Sequence, residues 1–471
     1  MHIVVLGAGL AGLSTTWTLC RSGHRVTLCE KQDHVGGMAS SWKVGPYWLD
    51  FGPHRFHSLD EGLIAHLYEI LDDEVVIRER KSRIYLEGKF FDYPLELTNV
   101  LAGLPAHTLA RALADYLWIR VSQWFKPIPD SHFENWVIKR FGRTLYDLFF
   151  GTYTSKAWGM PCTEISADWA AQRISQANLW DTIVKTIKAP REGEVRSLVT
   201  RFWYPARGGV GQIARKYAEK IRAMGGDIRL GCAVERIDVE HGRATRVHAV
   251  REGTAQVIDC DRIVNTIPVP HLLRALQPLP GGEQAAAEAA QAAANLRYIG
   301  IVFVYLEVDR PSVLPDHWVY LPSKQLTIHR MTEFKNFSDG NAPGCSTVVC
   351  CEITCRPGDE HWRLDLEQAA RIAERDLVRI GLLPEGLARP LTIARLPQAY
   401  PVYDLSYRHN LGILSRAISR VGNLHTTGRQ GLYRYNNMDH SIAMGRKVAQ
   451  AIDSGLDAGA EAVATGVDYF G

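Results

Sequence analysis

A glycine-rich turn near the start of the chain limits the fold more than any other feature. Residues 2–6 (HIVVL) form a short apolar run that predicts a strand buried on both faces. Residues 10–22 fit a helix and residues 25–30 a second strand. The turn that joins the first strand to the helix is Gly7-Ala8-Gly9-Leu10-Ala11-Gly12. Strand, glycine turn, helix and strand in this order predict a βαβ unit that binds a dinucleotide.

Each glycine has its own role in a turn of this kind. Gly7 permits the tight turn, Gly9 lets backbone N–H groups approach a pyrophosphate, and Gly12 lets the helix pack closely on the strand. Leu10 and Ala11 belong to the first helical turn, whose N–H groups favour a negatively charged ligand. We therefore expect all five residues to contact the cofactor.

A carboxylate and a second glycine turn extend the predicted site. Glu30, followed by Lys31, ends the second strand, where a carboxylate accepts hydrogen bonds from ribose hydroxyls. Gly36 and Gly37 come shortly afterwards, ahead of Met38, and would let the chain cross a long dinucleotide. The first motif does not distinguish FAD from NAD, whereas this second turn favours FAD.

A second helix start near the other end of the chain completes the predicted FAD site. Gly428 and Arg429 precede a helix-like run from about Met438, with Asn437 before it and Ser441 within it. The N-terminus of such a helix favours the negative charge that reduced flavin carries at its pyrimidine edge. About 400 residues separate this segment from the first glycine turn, so we expect the cofactor to lie along a whole domain.

The composition is that of an ordinary globular chain, 46% hydrophobic and 22% charged over 471 residues. Its 54 basic and 51 acidic residues give a net charge of +3, too balanced for a dedicated nucleic-acid binder. Nine cysteines are too few for a disulfide scaffold and favour a reducing compartment. We find no signal-peptide pattern and no run of 18 apolar residues, so we expect a cytoplasmic protein.

The order of helical and strand patterns predicts an α/β fold whose domains are built from separate segments. Helical periodicity dominates residues 95–185, and strand patterns return after residue 225. We expect a Rossmann-like FAD-binding domain, a helical insert domain and a mixed-sheet substrate domain. The predicted boundaries are 1–90, 196–275 and 405–455 for the FAD-binding domain, 91–195 for the helical domain, 276–404 for the substrate domain and 456–471 for a tail.

Several longer segments resemble the UDP-galactopyranose mutases, FAD enzymes of the wider amine-oxidase and protoporphyrinogen-oxidase superfamily. The resemblance covers the chain from residue 1 to about 450, with the segments in family order, and the last segment is the most specific. These segments are 51–57 (FGPHRFH), 133–150, 153–158 (YTSKAW), 204–209 (YPARGG) and 428–439 (GRQGLYRYNNMD).

The resemblance implies a non-redox reaction of reduced flavin. In that family, N5 of the flavin attacks the anomeric carbon of a nucleotide sugar and displaces the diphosphate, and the sugar recloses with the other ring size. Guanidinium groups suit the phosphate oxygens of the leaving diphosphate. By position, the resemblance assigns the diphosphate to Arg173, Arg330, Arg429, Tyr400 and Tyr435, the substrate pocket to Trp158 and Tyr320, the flavin ring to His54, and the adenine side to Val234.

Three positions depart from the family pattern, although we retain all three as substrate-binding candidates. Phe337 stands where the eukaryotic branch has a diphosphate-binding tyrosine, and Thr154 replaces an asparagine near the base. Glu96 falls where that branch has a glutamine that contacts the base. A change from glutamine to glutamate removes two N–H donors and adds a charge, so the base and the sugar stay open.

An oxidoreductase of the same superfamily, either an oxidase or a dehydrogenase, is the alternative function. Such an enzyme needs only a pocket that delivers hydride, whereas three arginines favour an anionic diphosphate substrate. A flavin-binding protein without catalysis fits the retained polar residues least well. NAD(P)H is the expected reductant of the flavin, although no motif identifies its site.

Two further features carry weaker hypotheses. Cys345, Cys350, Cys351 and Cys355 match no zinc spacing, so we expect no metal. Residues 104–125 predict a helix rich in tryptophan and phenylalanine, which could contact a membrane, pack within a helical domain or form the face of a homodimer. We favour packing or dimerisation, because charged residues interrupt the apolar side of the helix.

Overall fold

The strands of the protein belong to three larger sheets and two short ribbons. The computed structural model describes residues 1–86, 88–93, 103–173 and 200–455, except for the side chains of residues 172 and 173. Within those ranges the strands are β1 (His2–Leu6), β2 (Arg25–Cys29), β3 (Ser41–Val44), β4 (Tyr47–Asp50), β5 (Val75–Glu79), β6 (Ser82–Leu86), β7 (Lys89–Asp92), β8 (Arg201–Pro205), β9 (Asp227–Arg229), β10 (Cys232–Glu240), β11 (Arg243–Arg251), β12 (Thr254–Asp259), β13 (Arg262–Asn265), β14 (Leu276–Gln277), β15 (Tyr298–Val308), β16 (Trp318–Tyr320), β17 (Arg330–Glu333), β18 (Thr347–Cys355), β19 (Ala388–Pro401) and β20 (Leu424–Thr426).

The helices lie mainly between these strands. In the same described ranges they are α1 (Leu10–Arg21), α2 (Glu61–Leu71), α3 (Ala106–Ser122), α4 (Phe133–Phe141), α5 (Arg143–Leu145), α6 (Gly151–Trp158), α7 (Ala167–Arg173), α8 (Gln212–Ala223), α9 (Val269–Ala275), α10 (Gly282–Asn295), α11 (Glu360–Arg363), α12 (Leu366–Arg379), α13 (Tyr407–Ile418), α14 (Gly428–Gly431) and α15 (Met438–Ser454). A π-helical turn (Tyr146–Phe150) joins α5 to α6, and short 3₁₀ turns span Gly37–Ala39 and Phe334–Asn336.

A five-stranded parallel sheet, in the order β20-β13-β1-β2-β9, forms around the apolar strand at the start of the chain. Both faces of β1 are buried, as its apolar run predicts. Ile3 and Val5 pack into one core with side chains of α1, α8 and α15. Val4 and Leu6 pack into a second core with side chains of β10, α9 and α13. The predicted βαβ unit is therefore confirmed.

A seven-stranded mixed sheet, in the order β19-β15-β18-β17-β16-β6-β7, forms the second large part of the fold. The long strands β15 and β18 are almost wholly buried, because α12 covers one face of the sheet and the β3-β4 ribbon the other. Strands β6 and β7 come from the N-terminal part of the chain, and β6 pairs in parallel with β16. The predicted α/β class is confirmed, whereas the domain boundaries stay a prediction.

The segment from α3 to α7 is helical, as its periodicity predicts, and its core includes Trp136, Val137 and Trp158. The start of α4 at Phe133 agrees with the predicted start near Ser131. Among the described residues, no helix has both the length and the apolar character needed to cross a bilayer.

Candidate active site

The two glycine turns meet at the N-terminus of α1. Gly7 has a φ of +97°, and a Cβ atom on Gly12 would lie 1.9 Å from the Gly7 carbonyl oxygen. The N–H of Gly36 donates to the carbonyl of Ala8 at 2.8 Å, and a Cβ on Gly37 would lie 3.5 Å from Cα of Gly9. The turns are thus close enough to hold a single ligand.

The side chain of Glu30 closes one end of this arrangement. Its carboxylate accepts hydrogen bonds from the N–H groups of Ala8 at 2.8 Å and Gln32 at 3.0 Å. The N–H of Cys232 donates to the Glu30 carbonyl, which brings the start of β10 and its residue Val234 to this end. Lys31 is exposed. Glu30 and Val234 therefore lie at the same edge of the parallel sheet, where the sequence predicts the adenosine half of FAD.

The helix α15 lies beside α1 and closes the other end. A Cβ on Gly428 would lie 2.7 Å from Cβ of Ala11, and the Ser14 hydroxyl donates to the carbonyl of Ile442 at 2.8 Å. The helix begins after Asn437, whose Nδ2 lies 3.3 Å from Nε2 of His57. We call the two glycine turns, Gly428 and the N-terminus of α15 the cofactor cradle.

Residues on the first turn of α15 complete this end of the cradle. Met438 is buried, and the hydroxyl of Ser441 donates to the Asn436 side chain at 3.1 Å. The buried side chain of Met438 belongs to the same core as α1. Burial raises the pKa of Asp439 to about 7. The sulfur atom of Met38, on the second glycine turn, lies 3.9 Å from Nε2 of Gln430.

The cradle has the free space and the free polar groups that a flavin dinucleotide needs. A Cβ on Gly9 would meet no heavy atom within 4 Å, in contrast to the close contacts at Gly12. The buried hydroxyls of Ser40 and Thr427 have no hydrogen-bond partner among the described residues. Buried polar groups normally have partners, so these hydroxyls indicate a missing polar ligand. The residues present therefore fit FAD.

A row of polar side chains crosses the neighbouring mixed sheet. Tyr320 on β16 lies opposite Arg330 on β17, which lies opposite Glu352 on β18. Arg330 donates from Nε and Nη2 to the two carboxylate oxygens of Glu352, at 2.6 and 2.5 Å. Glu352 is fully buried, so this bidentate ion pair fixes the orientation of the guanidinium and cancels its charge.

Arg429 approaches the same place from α14, and no carboxylate of the described residues pairs with it. Its Cζ lies 4.8 Å from the ring centre of Tyr400 and 4.4 Å from that of Tyr435, and the two rings stack. One N–H donates to the carbonyl of Asn436 at 3.2 Å. Its Nε and Nη2 atoms are buried and have no partner among the described residues. This guanidinium can therefore receive an anion.

His54 lies near the two arginines Arg330 and Arg429, whose charges act on its imidazole. It follows Gly52, where a Cβ would lie 2.9 Å from a carboxylate oxygen of Glu352. Burial, with the charges of Arg429 and Arg330, lowers the pKa of His54 to about 3. His54 is therefore a neutral imidazole at physiological pH. We call His54, Arg330, Glu352, Tyr400, Arg429 and Tyr435 the cation pocket.

Aromatic rings line the side of the cation pocket towards the helices. Trp158 lies 5.9 Å from Tyr400 between ring centres, and Tyr320 lies 5.3 Å from Tyr153. The hydroxyl of Tyr400 lies 3.5 Å from Nη2 of Arg330, and burial raises the pKa of this tyrosine. Thr154 is buried on the same helix as Trp158. The structure thus brings most of the predicted substrate residues together.

Among the described residues, Phe337 is the predicted substrate residue that is not part of this group. Phe337 is fully buried in an aromatic core, with ring centres of Phe202 and Tyr204 each 5.4 Å away, so its side chain fills the protein interior. Glu96 lies outside the described residues. Arg173 ends α7, and its side chain also lies outside the described part of the chain.

Glu352 is the member of the pocket that the sequence analysis missed. It is the single charged residue in the apolar strand β18 (TVVCCEITC), and a buried carboxylate needs a partner. That isolated charge was the available signal. Cys350, Cys351 and Cys355 are buried on the same strand, and Cys345 is exposed. Within the described ranges, no group of three or more His, Cys, Asp or Glu is placed to hold a metal ion.

Comparison with known proteins agrees with this geometry. A family model described as flavin containing amine oxidoreductase matches residues 10–461. The chain belongs to this family, which implies an FAD enzyme and confirms the superfamily named by the sequence resemblance. Membership of this family does not by itself decide between an isomerase and an oxidoreductase.

Individual relatives divide between the two reaction classes. A crystal structure of reduced UDP-galactopyranose mutase superimposes with a TM-score of 0.85 and 21% identity, covering 100% of this chain and 99% of that one. A "Probable UDP-galactopyranose mutase" of Klebsiella pneumoniae is 26% identical over 35% of this chain and 43% of its own length. An all-trans-zeta-carotene desaturase of Myxococcus xanthus is 24% identical over 68% of this chain and 63% of its own length. The structural likeness establishes the fold alone.

Proposed function

We propose that the protein is an FAD-dependent mutase that interconverts the pyranose and furanose forms of a nucleotide sugar. The observation that carries this proposal is Arg429, a guanidinium with two buried nitrogens that no described residue satisfies. A cation enclosed by aromatic rings and lacking a carboxylate partner is suited to a phosphate group. The fold likeness to reduced UDP-galactopyranose mutase supports the same conclusion.

Reduced FAD, when bound, supplies the nucleophile that replaces the diphosphate at the anomeric carbon. Arg429 would donate hydrogen bonds to the diphosphate oxygens and stabilise the negative charge that develops on them. Tyr400 keeps its proton because burial raises its pKa, so its hydroxyl can donate to the same oxygens. Glu352 acts through Arg330, which it holds in one orientation beside Tyr400. The neutral imidazole of His54 can exchange hydrogen bonds with the flavin ring without adding a charge.

The base and the sugar of the substrate are left open in this proposal. Thr154 and Glu96 differ from the residues that the mutase family places near the base, so we propose a nucleotide sugar without specifying UDP-galactose. We also propose that NAD(P)H reduces the flavin. Arg173, which the family resemblance assigns to the diphosphate, stays a proposed further contact to that group.

A superfamily oxidoreductase is the second candidate, and it has an observation in its favour. The carotene desaturase relative matches 68% of this chain, about twice the share matched by the mutase relative from Klebsiella. Removal of hydride from an apolar substrate, however, gives no role to a buried guanidinium without a counterion. Since no described carboxylate pairs with Arg429, the guanidinium favours the mutase.

The decisive experiment compares reduced and oxidised holoenzyme on a panel of UDP-, dTDP- and GDP-hexopyranoses. We expect furanose to appear with many turnovers per flavin after dithionite reduction, and none with oxidised enzyme. Arg429→Met should lower turnover by about a hundredfold or more, because it removes a donor to the developing charge. Arg416→Met, an exposed arginine on α13, is the matched control and should keep full activity. Stoichiometric substrate oxidation with release of hydrogen peroxide would instead support the oxidoreductase.

A further inference from the structure

A group of large apolar side chains is exposed on α3 and the turn that follows it. Trp118, Trp124 and Phe125 are 71%, 83% and 84% exposed, and Leu113 and Leu117 are each more than half exposed. Together with Val121, these residues form what we call the apolar patch. It contains six of the twelve exposed large hydrophobic residues of the described chain. Clustering on this scale marks a surface that binds something.

The patch faces away from the protein because the opposite side of α3 is anchored. Ala112 and Tyr116 are buried, and the Asp115 carboxylate accepts a hydrogen bond from the N–H of Thr144 at 2.6 Å. The Asp115 side chain therefore points towards α5, and it does not interrupt the exposed apolar face of α3. Leu113 and Leu117, four residues apart, lie on the exposed side.

The rim of the patch is positively charged. Arg111, Arg120 and Lys126 are exposed, and Asp115 is the sole acidic residue between positions 103 and 129. Because the Asp115 carboxylate is turned inwards, the exposed surface of this segment carries cations without counterions from the same segment. A partner that fits this surface has a negatively charged outer layer over an apolar interior.

We propose that the apolar patch docks on an anionic lipid bilayer, with the aromatic side chains at the headgroup boundary and the three cations on lipid phosphates. Tryptophan and flanking basic residues are typical of helices that lie in the plane of such an interface. A second copy of this chain fits less well, because a symmetric interface would place the same cations of both copies together without an exposed carboxylate between them. This proposal is independent of the mutase activity.

Vesicle co-sedimentation of the holoenzyme tests the proposal. We expect binding to vesicles of 70% phosphatidylcholine and 30% phosphatidylglycerol, weaker binding to pure phosphatidylcholine, and release at high salt. The variant Trp118→Ser/Trp124→Ser/Phe125→Ser should bind about tenfold more weakly or worse, because the inserted apolar area is lost. Each of Arg111→Gln, Arg120→Gln and Lys126→Gln should weaken binding by roughly fivefold.

A matched control is available elsewhere on the surface. Leu59→Ser/Val257→Ser/Leu405→Ser removes three exposed apolar residues outside the patch and should bind vesicles like the wild type. Failure of the wild type to bind anionic vesicles at low salt would overturn the proposal, as would equal binding to neutral vesicles. A dimer in light scattering that the aromatic variant converts to a monomer, without vesicle binding, would identify the patch as a self-association surface.

Discussion

The cofactor cradle presents mainly backbone to its ligand, whereas the cation pocket presents side chains. In the cradle, the positions nearest the ligand space are glycines, and an added Cβ atom would clash with the fold at Gly7, Gly12 and Gly36 but not at Gly9. In the pocket, residues from three strands, two loops and a short helix meet through charge and ring contacts. Ligand binding in the cradle is therefore sensitive to added side-chain atoms. The behaviour of the pocket depends on which of its charges have a partner.

The two arginines of the cation pocket differ in whether a carboxylate balances their charge. Arg330 is held by a buried carboxylate, so its charge is already balanced before any substrate arrives. Arg429 is held by rings and a backbone carbonyl, so its charge is available to a ligand. Removing Arg330 should therefore affect stability first, whereas removing Arg429 should affect turnover first.

The largest expected effect comes from a pair of glycines in the cradle. In Gly12→Ala the new Cβ would lie 1.9 Å from a backbone oxygen, so we expect loss of bound FAD and of the folded protein. Gly9→Ala has space for its Cβ and a φ of −69° that alanine adopts freely. This variant should fold normally and yet bind FAD weakly, because the methyl group would occupy ligand space.

Flavin absorbance of the purified proteins and thermal unfolding of their flavin-free forms measure both effects. A Gly12→Ala protein that retains stoichiometric FAD would contradict the close packing of α1 on the first strand. Full FAD content in Gly9→Ala would show that the ligand lies elsewhere in the cleft.

The second-largest expected effect concerns the contribution of the Arg330–Glu352 ion pair to stability. Arg330→Ala removes the guanidinium that pairs with the fully buried carboxylate of Glu352, which should lower the free energy of unfolding by about 3–5 kcal/mol. The double variant Arg330→Met/Glu352→Leu removes both charges and should regain most of that loss. Urea unfolding of the three proteins measures the difference. Equal destabilisation by the single and the double variant would mean that the pair contributes through packing and not through charge.

The same contrast explains how far the sequence could predict the molecule. The cradle follows from neighbouring residues, since Gly7, Gly9 and Gly12 act within one turn, and its strands and helices lie where the patterns predict them. The pocket depends on strand register, because Arg330 meets Glu352 only when β17 and β18 pair as they do. The family resemblance identified Arg330 and Arg429. Which of the two has a carboxylate partner could not be predicted without the fold. Phe337 shows the limit of positional transfer, since its side chain fills the core.

The smallest expected effect is a pair of opposite pH dependences. The pKa of His54 in the pocket falls to about 3, so between that value and about 6.5 the unfolded chain binds a proton that the folded protein does not. Its contribution to stability is present above pH 6.5 and is lost as the pH falls. The pKa of Asp439 in the cradle rises to about 7, so from about pH 3.9 upwards the folded protein holds a proton that the unfolded chain has lost. Its contribution is present at low pH and is lost as the pH rises towards 7.

Urea unfolding of the flavin-free protein measures both effects. The values pH 4.5, 5.5 and 6.5 lie within the pH ranges in which His54 and Asp439 bind different numbers of protons in the folded and unfolded states. His54→Asn should make the slope of unfolding free energy against pH more negative, by about 1 kcal/mol per pH unit. Asp439→Asn should make the slope more positive by a similar amount, because the variant has no proton to lose. Slopes that change in the same direction in the two variants would contradict the burial of both side chains in their neutral forms, which is the main cause of the two opposite pKa shifts. Opposite changes would establish that the two halves of the site prefer different protonation conditions before any ligand binds.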